Sequence, residues 1–199
     1  MRIQAIALLA ILAATPSLAD DLDAQAIHMF EAVYGSEQCP YYAQEKPSPT
    51  RREFQVEGYS EAVTVTTVEF DCALGAYNEV QAFLIHTEMD GLRPASFATP
   101  VLDIAYVETA ENRDDPAVGP VESLDIVGYK AAATLINPSI DDATGQIVTE
   151  ERWRGLGDAN SSGVWDLTAD GYVLRSYEVD ATYDGEVDRV TVLDLGQEG

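Results

Sequence analysis

The segment with the most suggestive chemistry holds an arginine and an aspartate, with glycines between them and a tryptophan on each side. Arg154 and Asp158 are four residues apart, so a charge-assisted hydrogen bond could close the turn between them. The glycines allow a positive φ or a close backbone approach. The candidate binding residues of this loop are Trp153, Arg154, Gly155, Gly157, Asp158 and Trp165. Two interpretations stay open: a structural clasp with the two indole rings packed together, or a rigid recognition loop that presents Arg154 or a tryptophan to a partner.

Oxygen-bearing side chains alternate directly after this turn. Asp158, Asn160 and Ser162 precede Gly163, as in the first half of a calcium-binding loop. Such a loop ends on a glutamate at its twelfth position, where this chain has Ala169. The three oxygen-bearing residues are therefore weak metal candidates, and we expect neither a tight metal site nor a cofactor.

Sequence motifs for catalysis are missing. The chain has no G-x-S-x-G elbow, no H-E-x-x-H pair and no phosphate-binding glycine loop. A catalytic triad would have to use His28 or His86, and both fall within predicted regular elements. A carboxylate pair for glycoside hydrolysis stays open, because the chain has 35 acidic residues and none of them stands out. We therefore predict a non-catalytic protein.

Acidic residues dominate the charge. The chain carries 35 Asp and Glu against 11 Lys and Arg, which gives a formal net charge of −24. A surface of this sign repels nucleic acid and anionic lipid, and it attracts basic proteins. Because the acids are dispersed along the chain, solubility is the simplest reason for them. Attraction of a basic partner or of cations is the functional alternative.

The N-terminus has the layout of a secretory signal peptide. Arg2 precedes an unbroken apolar run over residues 5–14, and Ser17 and Ala19 are the small residues that a signal peptidase reads. This run is too short to cross a bilayer, and no later segment approaches a spanning length. We predict export to the periplasm, with residues 1–19 as signal peptide and residues 20–199 as a single domain.

The two cysteines, Cys39 and Cys72, both follow the predicted signal peptide. An even count in an exported chain favours a disulfide. Neither the C-x-x-C spacing of a redox pair nor enough further ligands for a metal site accompanies them. A bridge between them would stabilise the fold by roughly 3–4 kcal/mol in the chain-entropy model.

Hydrophobic spacing predicts one helix followed by many strands. The helix covers residues 21–34, with apolar residues at helical intervals and Gly35 as its stop. That apolar face consists of Leu22, Ala26, Met29, Phe30 and Val33. Strands are predicted over residues 62–70, 77–87, 101–107, 121–127, 131–137, 135–140, 146–154, 164–167, 172–179 and 187–195.

Three turns connect these predicted strands. They lie at residues 71–75, at residues 141–145 and at Asp170-Gly171, where the Asp-Gly pair is a strong hairpin signal. Short strands at close spacing predict a mainly β or α+β fold, namely an antiparallel sandwich or open barrel with one N-terminal helix.

Two segments resemble the signatures of a bacterial envelope family called domain of unknown function 1176. In the first, Cys72 is followed by Gly75-Ala76-Tyr77-Asn78. The second follows a hairpin turn with Thr144-Gly145, and it reads Arg154-Gly155-Leu156-Gly157-Asp158 before a strand that contains Trp165. The resemblance covers about residues 65–180, and it implies a periplasmic protein. It transfers no catalytic residue, because no activity is established for that family.

The chain departs from the family pattern in two ways. The family has a cysteine after the aspartate, where this chain has Ala159, and the downstream partner cysteine is missing near Tyr183. The resemblance therefore implies that a second disulfide, which would fasten this loop, is lost in a divergent member.

The functional hypothesis is an exported periplasmic module that binds a partner without catalysis. One alternative is an inhibitor of a cationic hydrolase such as lysozyme, which the acidic composition suits. Another alternative is a weak calcium-binding module at the loop that begins with Asp158.

Overall fold

The computed structural model describes residues 18–40, 47–109, 112 and 119–196. These residues form two helices and thirteen strands: α1 (Leu18–Val33), α2 (Gly35–Gln38), β1 (Thr50–Glu57), β2 (Ala62–Leu74), β3 (Glu79–Thr87), β4 (Gly91–Pro94), β5 (Phe97–Tyr106), β6 (Val121–Ala132), β7 (Thr134–Ile136), β8 (Pro138–Ile140), β9 (Ile147–Thr149), β10 (Glu151–Arg152), β11 (Asn160–Thr168), β12 (Gly171–Asp180) and β13 (Val190–Asp194). The predicted class, a mainly antiparallel β fold with an N-terminal helix, is confirmed, and the sheets do not close into a barrel.

The strands form two sheets and a separate two-stranded ribbon. The first sheet has the order β1-β2-β3-β4, and β7 also pairs with β3. The second sheet has the order β13-β12-β11-β9-β8, and β10 also pairs with β11. Strands β5 and β6 pair with each other in the ribbon. The predicted hairpin at Asp170-Gly171 joins β11 to β12.

Side chains that alternate along the strands build two apolar layers. In β3, Phe83 and Ile85 belong to the core between the sheets, whereas Ala82 and Leu84 belong to the cluster that packs under the helix. This division follows from the two-residue period of a strand. Because both faces of the first sheet are covered, β3 is apolar on both sides rather than on one.

Helix α1 packs on the outer face of the first sheet. Phe30 stacks on Phe70 of β2, with the ring centroids 4.4 Å apart. Tyr34, which follows the helix, donates a hydrogen bond of 3.3 Å to a backbone carbonyl of β3. The buried stripe consists of Ala26, Phe30 and Tyr34. Val33 is 42% exposed, so its predicted place on that stripe is wrong, because Tyr34 fills it instead.

The disulfide joins the helical segment to the first sheet. The sulfur atoms of Cys39 and Cys72 are 1.99 Å apart, and the residues are separated by 33 positions in sequence. Both cysteines are fully buried in the cluster under the helix. The pairing of β2 with β3 is irregular between Asp71 and Ala73, where Cys72 lies, and then continues to Leu74. The turn predicted over residues 71–75 therefore begins only after Leu74.

The chain passes from one sheet to the other at Asn137. Strand β7 pairs with β3 of the first sheet, and β8 pairs with β9 of the second. Asn137 lies between them with a φ of 45°, a left-handed conformation that asparagine tolerates better than most residues. The prediction of continuous strands over residues 131–137 and 135–140 is therefore wrong, because the strands are interrupted at residues 133 and 137. The predicted hairpin forms only between β8 and β9.

The predicted signal peptide lies almost wholly outside the described residues, which begin at Leu18. Within the described ranges, none of the helices is long and apolar enough to cross a membrane. The disulfide is compatible with an oxidising compartment, and the periplasmic location stays a prediction.

We expect the double variant Cys39→Ser/Cys72→Ser to lose about 3–4 kcal/mol of unfolding free energy, because the unfolded chain regains the entropy that the cross-link removes. Urea denaturation of the wild type and the variant measures this difference. Thiol labelling of the denatured, unreduced wild-type protein is the control and should find no free thiol. Two reactive thiols in that control would show that the bridge does not form.

Candidate functional site

The predicted contact between Arg154 and Asp158 is present. Nε of Arg154 donates to Oδ1 of Asp158 at 2.7 Å, and a terminal guanidinium nitrogen donates to Oδ2, so the pair is bidentate. The amide of Gly157 donates to the carbonyl of Arg154 at 3.0 Å, and Gly157 has a φ of +79°. The glycine therefore supplies the left-handed turn that brings the two charged side chains together.

Asp158 is a buried carboxylate, and both of its oxygens accept hydrogen bonds. Its side chain is 1% exposed. Besides the two bonds from Arg154, Oδ2 accepts a hydrogen bond of 2.9 Å from the amide of Gly185. The hydrogen bond from Arg154 holds the pKa of the Asp158 carboxyl far below its usual range, although burial acts in the opposite direction.

The loop between β12 and β13, residues 181–189, is fastened to this turn. Arg154 donates to the carbonyl of Tyr183 at 2.9 Å, and its guanidinium carbon lies 5.1 Å from the centre of the Tyr183 ring. A second buried carboxylate, Asp180, accepts from the amides of Thr182 and Asp188 at 3.0 and 2.6 Å. Hydrogen bonds from both sides therefore constrain this loop, which holds no disulfide among the described residues.

The two tryptophans border the same core but contact different partners, and the described residues show no ring contact between the two indoles. Trp165 is part of the core and meets Phe97 and Tyr177 edge to face, with centroids 6.1 and 6.5 Å away. Trp153 lies at the border of the same core and donates from Nε1 to Ser161 at 3.4 Å. A Cβ at Gly163 would lie 2.2 Å from the Trp165 ring, so the absence of a side chain there lets the indole fold inward.

The calcium candidates do not present free oxygen ligands. Both carboxylate oxygens of Asp158 accept from Arg154, and the amide oxygen of Asn160 accepts from Arg189. Ser162 is buried in β11. Among the described residues, no three His, Cys, Asp or Glu side chains cluster as a metal site. The guanidinium groups of Arg154 and Arg189 occupy the positions that a cation would need, so Asp158, Asn160 and Ser162 do not fit a calcium site.

The two segments that carry the family resemblance lie side by side. Nδ2 of Asn78 donates to the carbonyl of Arg152 at 2.8 Å, and its Oδ1 accepts from the Arg152 amide at 3.2 Å. Asn137 adds a second brace, since its Nδ2 donates to Asn78 at 2.8 Å and to the carbonyl of Glu150 at 2.7 Å. Two asparagines therefore hold the turn after β2 against the strands that lead into the Arg154–Asp158 turn.

A surface groove of about 600 Å³ runs between these segments. We call it the Tyr77 groove. Its lining residues are Leu74, Gly75, Ala76, Tyr77, Asn78, Glu79, Asn137, Ser139, Val148, Glu150 and Arg152. Leu74 is 65% exposed and Tyr77 is 41% exposed, so the groove offers apolar surface to a ligand.

Charged side chains accompany the apolar surface of the Tyr77 groove. Glu79 and Glu150 contribute carboxylates, and Glu150 receives long contacts of 3.4 Å from Arg189. Within the part of the chain that the structure describes, the guanidinium of Arg152 has no ion-pair partner. The aliphatic part of the Arg152 side chain lies along the turn. A Cβ added at Gly157 would be 3.4 Å from Cδ of Arg152.

Sequence comparison adds no known relative. No family model matches the chain, and neither curated proteins nor solved structures give a significant match. The resemblance to domain of unknown function 1176 therefore stays a prediction from the residues quoted above.

The structure redistributes the roles of the predicted site residues. Arg154, Gly157 and Asp158 form the clasp, and Trp165 belongs to the core. Gly155 borders the Tyr77 groove, since a Cβ there would lie 3.4 Å from the Tyr77 ring. The groove residue Arg152 is a new candidate that no local pattern singled out. Gly155 and Leu156 are the exposed residues between Arg154 and Gly157, and Leu156 is 71% exposed.

We expect Arg154→Leu and Asp158→Asn each to lower the urea midpoint, because each change leaves a polar partner unsatisfied. The double variant should lose less than the sum of the two single losses, since the groups are coupled. Urea unfolding of all four proteins completes the cycle. Additive losses would contradict the clasp.

The low pKa of Asp158 predicts a defined response to acid. Because the folded pKa lies below the unfolded value of about 3.9, the carboxylate contributes its full stabilisation above that value. That contribution is lost as the pH falls toward the folded pKa. Unfolding free energy measured between about pH 5 and pH 2 should therefore fall less steeply in Asp158→Asn than in the wild type. Equal slopes would contradict a depressed pKa at Asp158.

Proposed function

We propose that the protein is an exported, non-catalytic binding module that holds a segment of a basic partner protein in the Tyr77 groove. One observation carries this proposal: the Asn78 brace turns two distant segments into one rigid groove with exposed apolar side chains. Aromatic side chains in such surfaces supply much of the energy of protein binding. The proposal takes Tyr77 as the main anchor.

The groove is rigid, and this favours a binding site over an ordinary solvent-filled cleft. The amide groups of Asn78 and Asn137 are committed to backbone partners and to each other. The groove walls therefore need little ordering when a ligand arrives, which lowers the entropic cost of association. Leu74 and Tyr77 remain available for an apolar side chain of the partner.

Charge favours a basic partner. The chain has a net charge of −24, and Glu79 and Glu150 line the groove itself. Such a field accelerates the encounter with a basic protein and weakens as salt is added. Arg152 would then pair with a carboxylate or backbone carbonyl of the bound segment.

The proposal also includes the periplasmic location and membership of the resembling family. The signal-like N-terminus and the buried disulfide both support export to an oxidising compartment. The bonds from Asn78 to Arg152 place the first resembling segment in the groove and the second directly beside it. A non-catalytic role accords with the sequence, which contains no G-x-S-x-G elbow, no H-E-x-x-H pair and no phosphate-binding glycine loop.

Peptides selected from a display library on the purified exported protein provide the test. We expect selected peptides to combine an apolar residue with Lys or Arg and to lose about tenfold or more in affinity against Tyr77→Ala and Leu74→Ser. Tyr59→Ala is the matched control, because Tyr59 is fully exposed in the turn at the other end of β2. Peptides that ignore the groove variants, or that are acidic, would contradict the proposal.

The inhibitor alternative can be tested in the same experiment. Lysozyme serves as a defined basic probe beside an unrelated basic protein of similar charge. Salt-sensitive binding of lysozyme alone, lost in Tyr77→Ala, with inhibition of its hydrolysis would support an inhibitor. Equal binding of both basic proteins, unaffected by Tyr77→Ala, would indicate only general charge attraction.

A further inference from the structure

A second cavity lies on the opposite side of the strands that border the Tyr77 groove. Val148, Glu150 and Arg152 line the groove, whereas Thr149 and Glu151 line this cavity, as the alternation of side chains along a strand requires. The cavity measures about 180 Å³ and lies between the ribbon and the two sheets. The same short segment of chain therefore separates two distinct concave sites.

Aromatic rings form part of the cavity lining. Trp165 and Tyr177 both line it, and their ring planes are 83° apart. Their polar atoms are already bonded, since Trp165 Nε1 donates to the carbonyl of Ala98 and the Tyr177 hydroxyl donates to Ser161, each at 3.1 Å. Because Trp165 is 2% and Tyr177 5% exposed, the rings form the wall of the cavity and offer a ligand only a small π surface and no free hydrogen-bonding group.

Two opposite charges line the same cavity without pairing. Glu151 is partly buried and Lys130 is exposed. Across the described ranges, the Glu151 carboxylate accepts no hydrogen bond and forms no salt bridge, either with Lys130 or with any other residue. Burial raises the pKa of Glu151, and the charge of Lys130 acts in the opposite direction. A partly buried carboxylate without a partner is costly, and a cationic ligand would satisfy it.

We propose that this cavity binds a small zwitterion that carries an ammonium group and a carboxylate a few bonds apart. The ammonium group lies against Glu151, which attracts it as an ion pair, and the small exposed surface of the Trp165 and Tyr177 rings adds cation–π attraction. The carboxylate of the ligand reaches Lys130 at the exposed side. Amino acids of about the size of glycine betaine have this chemistry, whether their amine is trimethylated or primary.

This proposal does not depend on the Tyr77 groove. Its residues lie on the other side of β9 and β10, so variants can disable one site and leave the other. Loss of peptide binding in Tyr77→Ala with retained zwitterion binding would separate the two sites. If glycine betaine does not bind but the selected peptides do, the proposal for the Tyr77 groove is unaffected.

Titration calorimetry with three matched probes tests the proposal. Glycine betaine carries both charges, choline carries only the cation, and 3,3-dimethylbutanoate has carbon in place of the charged nitrogen. We expect saturable binding of glycine betaine, with affinity about tenfold or more above that of either single-charge probe. Equal binding of all three, or no binding of glycine betaine, would overturn the proposal. Preference for choline would overturn the role of Lys130.

Substitutions at the two charges complete the test. Glu151→Gln and Lys130→Gln should each weaken glycine betaine binding by about tenfold. Glu122→Gln is the control, because it removes an exposed carboxylate from the same strand as Lys130 outside the cavity. Far-ultraviolet circular dichroism checks that each variant is folded. Unchanged affinity in Glu151→Gln would overturn the assignment.

Nuclear magnetic resonance locates the ligand independently of the variants. The chain has two tryptophans, so two indole N–H signals are expected, and Trp153→Phe assigns them. Glycine betaine should shift the signal of Trp165 and leave that of Trp153 nearly unchanged. The reverse pattern would place the ligand elsewhere.

Discussion

A buried carboxylate needs strong hydrogen-bond donors, and the donors that bond Asp158 hold together the turns at one end of the molecule. Arg154 neutralises the charge from four residues earlier, and the amide of Gly185 bonds it from the loop between β12 and β13. Asp180 accepts hydrogen bonds from two further amides of that loop. Charged hydrogen bonds of this kind position backbone segments more narrowly than apolar contacts do.

The position of this turn also determines where the Tyr77 groove can form. Glu151 and Arg152 pair with the start of β11, directly beside the clasp, and Asn78 bonds the backbone of Arg152 from the first sheet. Asn137 connects the same region at the point where the chain crosses between sheets. These two asparagines hold the groove to the short strands that precede the clasp, and the same strands separate the groove from the inner cavity.

Local patterns in the sequence were sufficient where the interaction is itself local or strictly periodic. The alternation in β3, the pairing of two cysteines and the Arg154–Asp158 contact are of this kind. The position of Trp165 was not predictable, because it depends on the space above Gly163 in the folded core. Nor was the bond between Asn78 and Arg152, since the two residues are separated by 74 positions and their polar side chains fit many surface roles equally well.

Amide hydrogen exchange at Gly185 tests most directly whether the buried Asp158 carboxylate holds the loop between β12 and β13. That amide donates to Asp158 and lies outside regular secondary structure, so a loop without this contact would exchange rapidly. The account predicts slow exchange in the wild type and fast exchange in both Arg154→Leu and Asp158→Ala. Fast exchange at Gly185 in the wild-type protein would contradict it.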